Sequence, residues 1–335
     1  MGGGYEPSGG THPAVPLTPR KGDDVSAGDQ LEPQLGEAPR DPEELEATSG
    51  RASAEISAET SLGEVHLVVA ELARSLEYYT ASVGLELLEQ EARRATLGVA
   101  GRPLLVLVEE TGARVAFGHT GLYHFALLVP RRADLASWLA HAARDRVSLV
   151  GLSDHFVSEA LYLSDPDSHG IEIYWDRPRE VWEGQVAERM TTLPLDVDDL
   201  IGELEQPGAG EYVGLPADTV MGHVHLKVAA IAETVEFYRD LLGFGVMAQL
   251  GARAAFLGAG GYHHRIGANT WESAGAPPPP PGTAALRHAT IVLSDEAQRD
   301  LVVGRLARGG RAPEETSGGL LVRDPSGNSL VLTVA

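Results

Sequence analysis

From Ser61 onward, short runs of alternating apolar and polar residues give way to helical spacing and then to alternation again, and the whole pattern recurs. GEVHLVVAELARSLEYYTASVGLELL (63–88) overlies GHVHLKVAAIAETVEFYRDLLGFGVM (222–247) at a constant offset of 159 residues. Gly63/Gly222, Val65/Val224, His66/His225, Leu67/Leu226, Val69/Val228, Glu77/Glu236, Tyr79/Tyr238 and Gly84/Gly243 coincide. A weaker pair follows each: LYHFALLVP (122–130) resembles LRHATIVLS (286–294), and LYLSDPDSHGIEIYW (161–175) resembles LLVRDPSGNSLVLTV (320–334). An internal repeat has to be recognised before the fold is assigned, and this one gives four units of about fifty residues.

Each unit predicts the same elements. A β-rich run with a His at its centre comes first, as in Val65-His66-Leu67-Val68-Val69. An amphipathic helix follows, with Leu72, Leu76, Tyr79 and Val83 on one face. Gly84 and Gly243 stand where a helix would end in the left-handed conformation. Three short strands complete a βαβββ unit. One unit alone would leave an open sheet edge and an uncovered face. The expected fold is therefore α+β: four βαβββ modules paired into two half-open eight-stranded barrels.

The boundaries follow from this reading. Module 1 spans 61–110, module 2 119–176, module 3 219–271 and module 4 284–335. A connector over 177–218 carries a short helix near Val197–Leu204, and Pro277 to Pro281 read as a stiff polyproline spacer. Residues 1–60 differ in kind. Seven prolines, twelve acidic residues and four basic ones, with no apolar period, predict a disordered acidic Pro/Gly-rich tail.

Composition then removes whole classes of function. The 335 residues carry a formal net charge of −22, which argues against nucleic acid and against anionic membrane surfaces. With no cysteine there is no thiol nucleophile, thiolate-bound zinc or iron–sulfur cluster. No apolar run approaches the roughly 20 residues of a membrane helix. The expectation is a cytoplasmic protein that acts on a small molecule.

The candidate chemistry lies in the strands. All four units place a His in their first strand: His66, His124, His225 and His288. Taken singly, each reads most simply as a hydrogen-bonded core residue. Glu172 in GIEIYW changes the balance, because a carboxylate between two isoleucines is costly to bury unless paired or bound to a cation. The aligned residue of unit four is Val331, so the fold does not demand the carboxylate. Two imidazoles and one carboxylate make the facial triad of non-haem Fe(II) oxygenases. Unit two supplies His124 and Glu172, and both His66 and His225 are eligible as the second imidazole. His223 is expected to face outward, away from His225, unless a bulge turns it. His119 and His169 lie in loop-like sequence and are expected at the surface.

On these residues the chain resembles the vicinal-oxygen-chelate superfamily, and within it the type I extradiol ring-cleaving dioxygenases of the catechol 2,3-dioxygenase kind. The resemblance covers about 61–335. Its most specific segment is YLSDPDSHGIEIYW (162–175), where Tyr162 stands ten residues before Glu172, as a Tyr does before the ligand Glu in the family. It implies His155 as the hydrogen-bonding His upstream of that Tyr, across a gap a couple of residues shorter than usual. It also implies His264, from YHHRIGAN, as the acid–base group. At the offset of 159, His264 falls on Leu105 in unit one, so only a site built from units two and three collects the whole set. That pairing makes the implied metal ligands His124, Glu172 and His225, with His264, His155 and Tyr162 catalytic. The implied cofactor is Fe(II), with Mn(II) sharing the same ligand set. The implied partners are a small aromatic diol and O2, in a family whose members often form homo-oligomers. Other members offer competing readings: a glyoxalase-type isomerase, which presents two carboxylates, a metal-dependent thiol transferase, and a metal-free binding module of the bleomycin-sequestering sort.

Overall fold

In the computed structural model, which describes residues 46–205 and 212–335, Val65, Leu67 and Val69 of the first repeat strand are fully buried while His66 points the other way. The same division runs through the other first strands: Phe125 and Leu127, Val224 and Leu226, and Ala289 and Ile291 are all fully buried. These residues meet in one hydrophobic core shared by all four units. Burying each Val, Leu or Phe side chain stabilises the fold by roughly 1.5–3 kcal/mol. The opposite faces of the strands are left to line concavities.

The chain opens with β1 (Thr48–Gly50). Unit one runs β2 (Ser61–Val69), α1 (Leu72–Glu77, continued by a π turn over Tyr78–Val83), β3 (Glu86–Glu91), β4 (Arg94–Val99) and β5 (Arg102–Glu109). Unit two runs β6 (Gly121–Leu128), α2 (Arg132–Asp145), β7 (Gly151–Asp154), β8 (Ser158–Ser164) and β9 (Gly170–Asp176). The connector holds α3 (Arg179–Trp182), α4 (Val186–Arg189), β10 (Leu193–Pro194) and α5 (Val197–Gly202). Unit three runs β11 (Val220–Lys227), α6 (Ile231–Val235, continued by a π turn over Glu236–Leu242), β12 (Gly245–Leu250), β13 (Ala254–Gly258) and β14 (Ile266–Asn269). Unit four runs β15 (Leu286–Leu293), α7 (Glu296–Arg308), β16 (Glu314–Thr316), β17 (Gly319–Arg323) and β18 (Ser329–Val334).

Two sheets result. One has the order β1-β12-β13-β14-β11-β6-β9-β8-β7-β10 and joins unit three to unit two; the other, β16-β17-β18-β15-β2-β5-β4-β3, joins unit four to unit one. In each, the first strands of the two units meet antiparallel at the centre, β11 on β6 and β15 on β2. The first sheet has ten strands rather than eight because β1 and β10 add to its two edges.

This corrects the expected extent of the tail. Residues 1–45 lie outside the described residues, but 46–60 belong to the fold. β1 pairs with β12, the Ile56 amide donates to the Gly243 carbonyl at 2.8 Å, and Ile56 joins the core. An Ile carried to Gly243 outweighs the polar composition around it.

Gly84 and Gly243 end the two π turns at φ of 91° and 99°, each donating to the carbonyl five residues back, Tyr79 and Tyr238. A side chain at Gly243 would also meet the Ala54 carbonyl at 2.5 Å. Among the described residues, no helix is long and apolar enough to cross a membrane.

Candidate metal centre and active-site cavity

The register at the centre of the ten-stranded sheet builds the site. Glu172 on β9 lies opposite Tyr162 on β8 and Ala126 on β6, and Ala126 lies opposite His223 on β11. One row of inward-facing positions therefore reads Tyr162, Glu172, Ala126, His223, and the small Ala126 leaves space between the larger side chains. The next row holds His124 opposite His225, with Gly267 of β14 beyond. Both rows face one cavity of about 700 Å3.

Three donors converge there. His124 Nε2 and His223 Nε2 each lie 3.0 Å from Glu172 Oε2, and the two imidazole nitrogens are 3.3 Å apart. All three side chains are buried, and their donor atoms lie within 4.8 Å of one another. Burial by itself would push the Glu172 carboxyl up, but His223 foremost and His124 with it hold it well below the usual carboxylate range. Burial lowers His223 against the pull of Glu172. Two imidazoles and a carboxylate aimed at one point are a donor set that fits a divalent cation.

The imidazole in this set is His223, where the sequence pointed to His225, and its burial on the cavity wall corrects the expectation that His223 would face outward. Residues two apart on a strand share a face, so His223 and His225 both point inward. Gly222 forms a bulge: β11 shifts register between Met221 and His223. A side chain at Gly222 would meet Tyr174 Oη at 1.9 Å. The signal that would have found His223 is spacing. Val129 and Val228 occupy equivalent places, donating to the carbonyls of Tyr174 and Asn269, and each follows its histidine, His124 or His223, by five residues. His225 instead lays its ring over Gly267, whose missing Cβ would sit 2.8 Å from it. His225 Nε2 is buried without a partner among the described residues, and burial, then His124 and His223, hold this imidazole well below its ordinary value.

His155 and Tyr162 stand together on the opposite wall. His155 Nδ1 donates to the Thr191 carbonyl at 2.8 Å, which leaves Nε2 to accept from the Tyr162 hydroxyl at 2.7 Å. Tyr162 is pushed well up, first by burial and then by Glu172, so its proton stays on oxygen.

His264 completes the cavity wall, its ring centroid 4.2 Å from that of His223. Behind it runs a hydrogen-bonded chain. Asp176 accepts from the Tyr262 hydroxyl and from His263 Nε2, both at 2.7 Å. With its proton on Nε2, His263 can only accept at Nδ1, and His264 Nδ1 lies 2.8 Å away. His264 must therefore donate through Nδ1, and its Nε2 is left as a lone pair at the cavity. Burial and the neighbouring His223 keep this imidazole neutral. Asp176, at the end of an apolar strand, has no sequence signal beyond its distance of four residues from Glu172.

The remaining expectations resolve simply. His169 is buried, not superficial: Nε2 meets the Val68 carbonyl at 3.0 Å, because the turn before β9 packs under unit one. His119 is half-buried, with Nδ1 3.3 Å from the Pro277 carbonyl. The polyproline run is not part of the cavity wall. His66 and His288 stack in the other sheet with ring centroids 3.9 Å apart, away from Glu172. Gly267 of unit three occupies the position equivalent to Glu172, so the second carboxylate of an isomerase site is absent from it.

Comparisons with known proteins agree with this architecture. Residues 61–173 and 220–332 match the Glyoxalase/Bleomycin resistance protein/Dioxygenase superfamily. A protein of Bacillus subtilis (strain 168) named catechol-2,3-dioxygenase is 40% identical over 287 residues, covering 83% of this chain and 99% of that one. Among solved structures, a putative dioxygenase from Bacillus subtilis superposes with a TM-score of 0.58 at 15% identity, over 84% of this chain and 86% of that one. Glyoxalase I from Zea mays gives a TM-score of 0.50 at 15% identity, over 82% and 92%. The two structural likenesses speak to the fold alone. With matched segments that span both halves of the repeat and a curated relative aligned along nearly its whole length, the chain belongs to the glyoxalase/bleomycin resistance protein/dioxygenase superfamily.

Proposed function

We propose that this chain is an Fe(II)-dependent extradiol dioxygenase of aromatic-compound breakdown, cytoplasmic, which opens a catechol ring next to its diol with both atoms of O2 entering the product. The observation that carries the reading is the meeting of His124, His223 and Glu172 with an uncommitted imidazole nitrogen, His264 Nε2, on the wall of one cavity. The 40% identical relative named catechol-2,3-dioxygenase supports it. His124, His223 and Glu172 would hold the metal; when bound, it supplies Lewis acidity and a path for electrons between catechol and O2.

The chain's own residues do the rest. A catechol hydroxyl is too weakly acidic to ionise readily at neutral pH, so a neutral imidazole beside it is useful. His264 Nε2 takes that proton and later returns it, which is general acid–base work. Asp176 and His263 act through His264: they hold its ring in place and keep the lone pair on the cavity side. The Tyr162 hydroxyl, which donates its hydrogen bond to His155, offers its oxygen lone pairs to a substrate hydroxyl and so orients the ring. His225, Tyr123, Phe256 and Trp271 supply aromatic walls that fit a flat ring.

The test is oxygen uptake after anaerobic reconstitution with Fe(II), using catechol and watching for a yellow ring-fission product. Uptake with colour, lost in Glu172→Ala, is the expected result. No uptake by protein that holds its metal would overturn the reading and favour another reaction of the superfamily.

A further inference from the structure

Lys227 is the one lysine or arginine among the residues that line the catalytic cavity. The sequence uses lysine at two positions only, Lys21 and Lys227, so this is not one of many surface lysines. β11 carries His223, His225 and Lys227 on the same inward face. Four residues of strand put Lys227 about 13 Å from His223 along the backbone, and both side chains line the one cavity. Between them stand the aromatic walls. Tyr123 lies 5.2 Å from His225 and 5.3 Å from Trp271, and Phe256 lies 5.7 Å from His225, centroid to centroid. The arrangement is a path from the metal centre, past a slot for a ring, to an ammonium group.

That ammonium is poorly satisfied. Its side chain is 17% exposed, and Nζ makes no hydrogen bond among the described residues. The nearest carboxylate, Glu272 Oε2, lies 3.9 Å away, beyond hydrogen-bond reach, on a side chain that is 58% exposed. An ammonium brings three donors, and an exposed rim carboxylate at that range is a weak competitor for them. A substrate anion that arrives on a rigid ring loses less freedom on binding than the Glu272 side chain would.

We propose that the site takes catechols bearing a carboxylate on the ring edge away from the diol, and that Lys227 receives that carboxylate. The inference rests on the dioxygenase reading for its catechol and adds the class of substituent. Glu272 swings aside when the anion enters, and the Lys227 ammonium disfavours substrates with a cationic tail.

Anaerobic calorimetric titration of the Fe(II)-loaded protein tests this without turnover. Three ligands are compared: 3-(3,4-dihydroxyphenyl)propanoate, neutral 4-propylcatechol and cationic 4-(2-aminoethyl)catechol. The acid is expected to bind about tenfold more tightly than the neutral analogue, and the amine more weakly than either. Lys227→Met should bring the ratio of acid to neutral close to one, and Lys227→Arg should keep most of it. Glu272→Gln, a rim substitution that does not threaten folding, should raise the ratio. Equal affinities in the parent, preference for the amine, or a ratio unmoved by Lys227→Met would each overturn the proposal. A preserved ratio in protein that consumes no oxygen with any of the three would keep the anion site and reject the dioxygenase.

Discussion

The Tyr79 hydroxyl donates to Asp165 Oδ2 at 3.0 Å, and the bond joins the two sheets, since Tyr79 belongs to unit one and Asp165 to unit two. The other half of the repeat makes the same bond from Tyr238 to Asp324 at 3.4 Å. In each turn the aspartate's second oxygen accepts two backbone amides, those of Asp167 and His169 or of Ser326 and Asn328. The turn at Asp165 leads directly into β9 and Glu172. Tyr79→Phe leaves a buried carboxylate oxygen without its donor and should cost about 1–3 kcal/mol. Denaturant midpoints of parent and variant check this; an unchanged midpoint would show that the bond contributes nothing net.

The third metal ligand can be read by metal content alone. After reconstitution and desalting, the parent and His225→Ala should retain about one equivalent of metal, while His223→Ala and Glu172→Ala should lose most of it. The opposite pattern for the two histidines would return the ligand role to His225.

The chain behind His264 predicts a kinetic signature. Asp176→Asn can present an amide N–H to His263 Nε2, which moves the proton to Nδ1 and reverses the tautomer of His264. Its Nε2 would then carry the proton and cease to be a base. We expect kcat to fall by about a hundredfold with metal content and KM little changed. A structural role alone would instead lower metal content or stability with kcat per bound metal preserved.

The stacked pair in the eight-stranded sheet predicts acid sensitivity. Burial first, then His288, Arg94 and Arg287, lowers His66 to about 3; burial first, then Arg287 and Arg94, lowers His288 to about 4. Both lie below the ordinary value of 6.5, so between these limits the unfolded chain binds more protons than the folded one. The stability these groups contribute is complete above pH 6.5 and is lost as pH falls toward 4 and 3. A His66→Gln, His288→Gln double variant should therefore lose less thermal stability than the parent when the pH is taken from 7 to about 4.5. Parallel melting curves at the two pH values would refute the account.

Much of the architecture was legible because duplication writes the same physical requirement twice. Gly84 and Gly243 coincide since both end a π turn at positive φ, and Tyr79 and Tyr238 coincide since both reach an aspartate across the sheets. Glu172 stood out because an acid between isoleucines has few cheap explanations. His223 was missed for the converse reason: an offset taken from identical residues aligned His225 with His66, and the same offset sets His223 against Glu64, so no repeated residue marked it. Identity marked the scaffold, and the chemistry sits where the copies diverge. His169 read as superficial because turns usually are, and only the packing of unit one against unit two buries it.

The sheet orders bear on how copies of this chain meet. Among the described residues the ten-stranded sheet ends in two very short strands, β1 and β10, the latter carrying Pro194, and neither offers a long template for another chain. The eight-stranded sheet ends in β3 and β16, and these exposed edges carry Glu86, Glu89 and Glu91 on one side and Glu314 and Glu315 on the other. Two molecules approaching edge to edge at neutral pH bring rows of like charge together, and the long-range repulsion of a net charge of −22 adds to it. Acidification removes that repulsion in the same range that protonates the stacked histidines, so aggregation and loss of the fold would set in together.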